Sequence, residues 1–313
     1  MNAPPDLHHA VELGGARFEP IAPGDVPRIA SAAERASAWL WATYASFLAS
    51  YGQSSARAVL VGPAGDGLVA LVRRKIRGRD HLDLVTPPLA SDPADALAAL
   101  AAPLASYNDD LETRVLWADL PAAAAAAARG WNVQPYEQEY VYSRRAVLDM
   151  WGGEYRMLRK RVNRCKREAD PVVRAYTPDD RPACMALLKA WQAEREEAVQ
   201  PVFDFGYTAA ALELAEAIPE PWLVGLVIDV EGAVRAFAFG GLIRPGVGCF
   251  FILKSDPAII GLAETARVEL IRLLEGCDLI NDAGDLGRPG LAQHKREFRP
   301  AAFVPTWKLA RRG

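Results

Sequence analysis

"VRAYTPDDRPACM" (Val173–Met185) repeats the pattern of an earlier stretch, "FEPIAPGDVPRI" (Phe18–Ile29). In both, a short β-rich run meets a proline, an aspartate and a second proline at one spacing: Pro23, Asp25 and Pro27, then Pro178, Asp180 and Pro182. Proline suits the first turn of a helix, where its missing N–H is no loss, and aspartate is favoured at the positive N-terminal end. Each stretch therefore reads as a strand, a turn and a helix start.

The likeness continues downstream. "ARAVLVGPAGDGLVALVRRKIRGRDHLDLVTPPL" (Ala56–Leu89) and "WLVGLVIDVEGAVRAFAFGGLIRPGVGCFFILKSDPAI" (Trp222–Ile259) alternate β-rich runs with Gly/Asp turns. Each predicts three consecutive antiparallel strands. A helical pattern follows each, from Asp92 to about Tyr107 and from Gly261 to about Glu275. The ends also agree. Arg114–Tyr142 reads as strand, helix and strand, with Asp119 to cap the helix, Pro121 to open it and Gly130 to close it. Cys277–Leu309 has the same order, and the Trp131 to Tyr140 spacing recurs as Phe298 to Trp307.

Three matches in register predict two copies of one α/β (α+β) unit: strand, helices, three-stranded meander, helix, strand, helix, strand. That order is the GNAT (acyl-CoA N-acyltransferase-like) topology, a mixed, mostly antiparallel sheet flanked by helices. The expected organisation is a disordered tail over 1–15, an N-terminal GNAT-like domain over 16–150, and a basic junction helix with a C-terminal GNAT-like domain over 151–313.

Composition narrows the class. Hydrophobic residues make up 51% and charged residues 24% of 313, as in a soluble globular protein with a large core. No apolar run approaches the roughly 18 residues of a membrane span, and the first residues lack a basic-then-apolar leader. The net charge of −3 does not point to a general nucleic-acid binder, so an anionic partner requires a local patch. Cys165, Cys184, Cys249 and Cys277 lack metal-ligand spacing and read as reduced thiols of a cytoplasmic protein. His8 and His9 lie in the tail, leaving only His81 and His294, so no metal site is expected.

GNAT acetyltransferases share R/Q-x-x-G-x-G/A before the helix that follows the meander, where backbone N–H groups hold a pyrophosphate. The equivalent here is "AIIGLA" (Ala258–Ala263). Gly261 and a small last residue are present, but Ala258 replaces the basic residue and isoleucines line the loop. In the first copy, "TPPLASDPADAL" places prolines where N–H donors are needed. Acyl-CoA is therefore the less favoured donor, and no cofactor is expected. Gly261 and, one turn on, Glu264 remain candidates for substrate contact.

"EYRMLRKRVNRCKRE" (Glu154–Glu168) places Tyr155, Leu158, Val162 and Cys165 on one helix face. The other faces carry Arg156, Arg159, Lys160, Arg161, Arg164, Lys166 and Arg167 with no acid among them. Like charges at i,i+4 repel, and a polyanion would relieve that. The patch fits an RNA backbone or an anionic membrane surface; a solvated helix face is the plain alternative. A second cluster, Arg73, Arg74, Lys75, Arg77 and Arg79, either adds to the patch or is solvated.

"EYVYSRRAVLDMWGGEYRMLRKRVNRCKRE" (Glu139–Glu168) and "INDAGDLGRPGLAQHKREFRPAAFVPTWKL" (Ile280–Leu309) together resemble the C-terminal catalytic domain of lysylphosphatidylglycerol synthases and its soluble relatives. The family pattern N-x-x-x-D-L-G-x-x-G-L-x-x-x-K-x-x-F-x-P is matched by Asn281, Asp285, Leu286, Gly287, Gly290, Leu291, Lys295, Phe298 and Pro300. A second pattern, a basic helix with K-R-N, departs: Val162 follows Lys160-Arg161 and Asn163 comes one place later. The resemblance runs from about Trp39 to Leu309.

It implies tandem GNAT-like domains that move an aminoacyl group from aminoacyl-tRNA to an acceptor: a lipid head group, a peptide, or a small amine or hydroxyl metabolite. Such chemistry must hold the adenosine end, stabilise an oxyanion and remove a proton. Lys295 is the expected oxyanion or phosphate contact. Asp285 is expected to bind the α-ammonium or act as base, with capping of the next helix as the structural alternative. Asn281 is expected to orient substrate, Gly287 to shape the backbone and Arg299 to meet phosphate. Two other readings stay open: an acyl-CoA-dependent N-acyltransferase, and a non-catalytic binding module of degenerate GNAT domains.

Overall fold

The computed structural model describes residues 7–53, 56–109, 111–197 and 204–312. The first six residues of the expected tail lie outside these. Two compact units result: residues 1–139 with 304–313, and residues 140–303.

The first unit runs β1 (Val11–Leu13), β2 (Ala16–Pro20), α1 (Val26–Arg35), α2 (Ala45–Tyr51), β3 (Arg57–Ala64), β4 (Gly67–Ile76), β5 (Arg79–Leu84), α3 (Pro93–Tyr107), β6 (Thr113–Ala118), α4 (Leu120–Ala128) and the start of β7 (Asn132–Ser143). The second runs from the end of β7 through α5 (Arg144–Asp149), α6 (Arg156–Glu168), β8 (Val172–Ala175), α7 (Arg181–Glu197), α8 (Phe205–Leu214), β9 (Val224–Val230), β10 (Ala233–Arg244), β11 (Gly246–Ser255), α9 (Leu262–Leu273), β12 (Cys277–Asn281) and α10 (Pro289–Glu297) into β13 (Ala302–Arg311). Both follow the GNAT-like order. The 1–15 stretch is shorter as a tail than expected: β1 pairs with β2 (Val11↔Phe18), and Leu7, Val11 and Leu13 are buried, because their apolar side chains fill that edge of the core.

Local sequence accounts for the helices. Asp119 accepts from Ala122 N at 3.0 Å and Pro121 opens α4, while Gly130 follows it with φ +79°. Asp92 caps α3 in the same way, accepting from Asp95 N at 3.0 Å. In α6, Leu158, Val162 and Cys165 turn inward and join Tyr140, Tyr142, Leu262, Ala266, Leu270 and Phe298 in the core of the second unit. Burying each large apolar side chain contributes about 1.5–3 kcal/mol. The first unit has its own core around Phe18, Leu60, Leu71, Leu84, Leu104 and Trp131.

The strand order is β1-β2-β3-β4-β5-β6-β13 in the first unit and β7-β12-β11-β10-β9-β8 in the second. Each sheet is antiparallel save one parallel pair, β5 with β6 and β11 with β12. The closing strands are exchanged. β13, at the C-terminus, pairs with β6 (Leu309↔Val115), and the end of β7, from the first copy, pairs with β12 (Ile280↔Tyr142). The compact units thus differ from a simple 16–150 and 151–313 division.

One irregularity positions the site. β11 and β12 pair in parallel from Gly246↔Cys277 to Cys249↔Asn281. β12 then ends, but β11 runs on to Ser255, paired with β10 alone. The two parallel strands part at their carboxyl ends, the usual place for a ligand in an open α/β sheet.

Candidate active site

The loop after Asn281 begins where β11 and β12 part. Asn281 is fully buried and its Oδ1 accepts from Ala283 N at 2.9 Å, a local turn that starts the loop. Ala283 and Leu286 both take left-handed backbone (φ +56° and +55°), as does Gly287 (φ +66°). Such a conformation costs a non-glycine residue of order 1 kcal/mol and persists only where its surroundings impose it.

Lys295 supplies that constraint. It projects inward from α10 and is only 5% exposed. Its ammonium donates to Asp282 O, to Ala283 O at 3.3 Å and to Gly284 O at 2.7 Å. The Asp282 carboxylate, 3.7 Å from Lys295 Nζ, accepts from Arg267 and from the Tyr142 hydroxyl at 2.9 Å. Arg267 lies over the rings of Phe250 and Phe298 at 4.1 and 5.2 Å. Burial and the Asp282 charge push the Tyr142 phenol far up, so it stays protonated.

Lys295, expected to contact an oxyanion or phosphate, here directs its ammonium at the loop carbonyls, and the Asn281 amide oxygen meets the backbone of Ala283. Asp285 is not the cap of α10, which begins at Pro289 behind Arg288. Instead Asp285 is half-buried, accepts from Gly287 N at 2.9 Å through Oδ1, and accepts from the Tyr140 hydroxyl at 2.6 Å through Oδ2. Burial and then the Asp285 hydrogen bond raise the Tyr140 pKa to about 12. The result is a carboxylate on a braced loop, held by a neutral phenol from β7.

A second cluster lies between α6, α9 and α10. Arg161 pairs with Glu264 at 2.9 Å and with Glu297, and His294 Nδ1 is 3.8 Å from Glu264. Glu264, His294 and Glu297 could together hold a metal ion, but the Arg161 guanidinium already balances both carboxylates. Burial, and then the Arg267 charge, lower the His294 pKa to about 4. Glu264 is thus tied to α6 through Arg161. Gly261, with φ +84°, lies close against α6: a Cβ there would stand 2.2 Å from Arg161 O. The start of α9 packs on α6, so the glycine permits close helix contact. Arg299, expected to meet phosphate, donates to Glu154 O at 2.9 and 2.8 Å.

The basic helix is less exposed as charge than its sequence implies. Arg164 and Arg167 both pair with Glu168, Lys166 lies 3.6 Å from Glu269, and Arg159 donates to Met150 O. Among the described residues, Arg156 and Lys160 have no recorded ion pair, and both are exposed. The Arg73–Arg79 cluster is largely neutralised within the first unit, by Asp80, Asp83 and Asp109.

Sequence reading missed Asp282, Arg267, Tyr140 and Tyr142. A usable signal existed for one: Arg267 sits between Ala266 and Val268, at i+3 from Glu264 on a helix too apolar to leave both charges in water.

The sequence profile of the family described as phosphatidylglycerol lysyltransferase, C-terminal, matches residues 40–310. No curated protein matches the chain. Several solved structures share its fold. A conserved protein of unknown function from Bacteroides thetaiotaomicron VPI-5482 aligns with TM-score 0.76 and 19% identity, over 94% of this chain and 98% of that one. The C-terminal domain assigned to a lysylphosphatidylglycerol synthetase from Agrobacterium fabrum gives 0.65 and 15%, over 93% of each chain. L-PGS from Bacillus licheniformis gives 0.62 and 13%, over 85% of this chain and 86% of that one.

Proposed function

The chain belongs to the phosphatidylglycerol lysyltransferase C-terminal family, and on that premise we propose that it transfers an aminoacyl group from aminoacyl-tRNA to an acceptor amine or hydroxyl. The observation that carries the reading is the Asp285–Tyr140 pair, held at the parting of β11 and β12 by Lys295.

The aminoacyl ester is already activated, so the protein must orient and move one proton. Asp285 takes the proton of the attacking N–H or O–H as the acceptor bonds to the ester carbonyl. The Tyr140 O–H, donated to Asp285 Oδ2, orients the carboxylate for that transfer. The tetrahedral species collapses, the bond between the acyl carbon and the ribose oxygen breaks, and the ribose oxygen leaves with the proton held on Asp285. One ester is exchanged for an amide or a new ester, and no redox partner or metal is required.

Arg156 and Lys160, the exposed cations of α6, meet tRNA phosphates in this reading. No helix among the described residues is long and apolar enough to cross a membrane. We take the acceptor to be a small molecule or peptide as readily as a lipid head group. Charged tRNA is a cytoplasmic substrate, in keeping with four buried cysteine thiols. The acyl-CoA reading is disfavoured by the packing of Gly261 on Arg161.

The test incubates the full chain with tRNA charged with labelled amino acids and a panel of amines, peptides and phosphatidylglycerol. Label should move off tRNA into product, and Asp285→Asn should slow this by about a hundredfold or more. Equal release of label with and without protein overturns the proposal.

A further inference from the structure

We infer that Trp151 is a stacking platform for an unpaired base at the single-stranded end of the RNA substrate; this rests on the aminoacyl-tRNA reading above. Trp151 is 85% exposed, the most exposed large apolar side chain described in the chain. A tryptophan in water forgoes a large burial gain, and its ring face stands open to a stacking partner.

The loop that carries it is built. Met150 ends α5 in left-handed backbone (φ +45°) and Gly152 follows at φ +93°. Arg159 donates to Met150 O on one side of Trp151, and Arg299 donates twice to Glu154 O on the other. Two guanidinium groups thus tie down both flanks and leave the indole outside. A platform fixed in advance loses little conformational freedom on binding. Arg299 follows α10 closely, so the same helix that braces the Asp285 loop also holds the tryptophan loop.

The surroundings choose the ligand. Arg156, Arg159 and Lys160 open the next helix, Arg159 and Arg299 reach the carbonyls of the loop, and Arg145 pairs with Asp149 at 3.4 Å. Aromatic faces beside cations fit single-stranded nucleic acid, whose bases stack while its phosphates pair with lysine and arginine. A membrane surface fits less well. An amphipathic helix inserts its apolar face, and the apolar face of α6, Leu158, Val162 and Cys165, is already in the core.

The experiment measures binding of the full chain to a fluorescent RNA hairpin with a short single-stranded 3′ end, and to the same hairpin made blunt. Trp151→Ala should weaken binding of the tailed hairpin by roughly tenfold or more, without altering its salt slope or the urea midpoint. The blunt hairpin should be unaffected, and Trp151→Phe should retain most of the affinity. Arg156→Ala with Lys160→Ala should instead lower the salt slope by about 2. Equal affinity of wild type and Trp151→Ala for the tailed hairpin overturns the inference, while aminoacyl transfer by the wild type would leave the broader reading standing. Loss of binding to phosphatidylglycerol vesicles in Trp151→Ala, with RNA binding intact, also overturns it. If the wild type binds neither hairpin and transfers nothing, both fall.

Discussion

The ammonium of Lys295 stands 2.7 Å from the carbonyl oxygen of Gly284, one residue before Asp285. A charge that looks catalytic in the sequence is thereby turned on the backbone. It holds the backbone just before Asp285, whose half-buried carboxylate accepts from Tyr140 and Gly287. Replacing Lys295 with Met removes the donor to three buried carbonyls. We expect a loss of about 3–5 kcal/mol in urea unfolding, together with loss of transfer. A change under about 1 kcal/mol would show that the loop holds its shape alone.

Tyr140→Phe isolates the phenol. The ring keeps its edge contact with Phe303 at 5.2 Å, so stability should fall by only about 1 kcal/mol. Transfer should slow by roughly ten- to a hundredfold, in turnover more than in substrate affinity. Unchanged turnover would remove Tyr140 from the chemistry.

His294 gives the fold a signed pH dependence. Its pKa is lowered to about 4 in the folded chain, where Arg267 and Arg161 oppose a positive charge and Glu264 and Asp282 favour it. The unfolded chain takes up the proton first, near the ordinary pKa of about 6.5. The stabilisation is therefore present above that value and lost as pH falls toward 4. Urea midpoints at several pH values between 4 and 7 should drop less steeply in His294→Gln than in the wild type. Parallel curves would mean that His294 is not the source.

The arginines and lysines of α6 should separate in one stability assay. Arg161→Ala leaves Glu264 and Glu297 without their cation and should cost about 3 kcal/mol or more. Lys160→Ala touches no recorded partner and should fall within about 0.5 kcal/mol of wild type. Similar losses for both would contradict the division of this helix into a structural and a free face.

Gly261→Ala tests the close packing of α9 on α6. A Cβ would meet Arg161 O at 2.2 Å on backbone already at φ +84°. We expect a loss of at least about 2 kcal/mol in thermal or urea unfolding. A neutral outcome would mean the helices part easily, and would reopen the α9 start as an anion site.

Much of the architecture can be read along the chain because its signals are local. Asp119, Pro121 and Gly130 mark one helix, and the Pro-Asp-Pro spacing marks both copies. The exchange of β7 and β13 is not local: which sheet takes Tyr142 or Leu309 depends on pairings far apart in sequence. The site divides in the same way. Asp285 and Lys295 lie within one compact pattern. Arg267, Asp282 and Tyr142 come from three elements, and only folding shows that one carboxylate joins them. The inward turn of Lys295 was hidden because α10 is short and carries His294, Lys295 and Arg296 in succession, which reads as a solvated face.

The exchanged closing strands also constrain protein engineering. A gene cut at residue 150 would make a first fragment whose β6 has lost β13, and a second whose β12 has lost β7. Each fragment would carry a bare strand able to template pairing with other copies, and would invite aggregation. Neither copy can be swapped into a chimera as a simple contiguous cassette. Co-expressed as a split reporter, however, the two pieces would each hold the strand the other needs, so reassembly itself would be the signal.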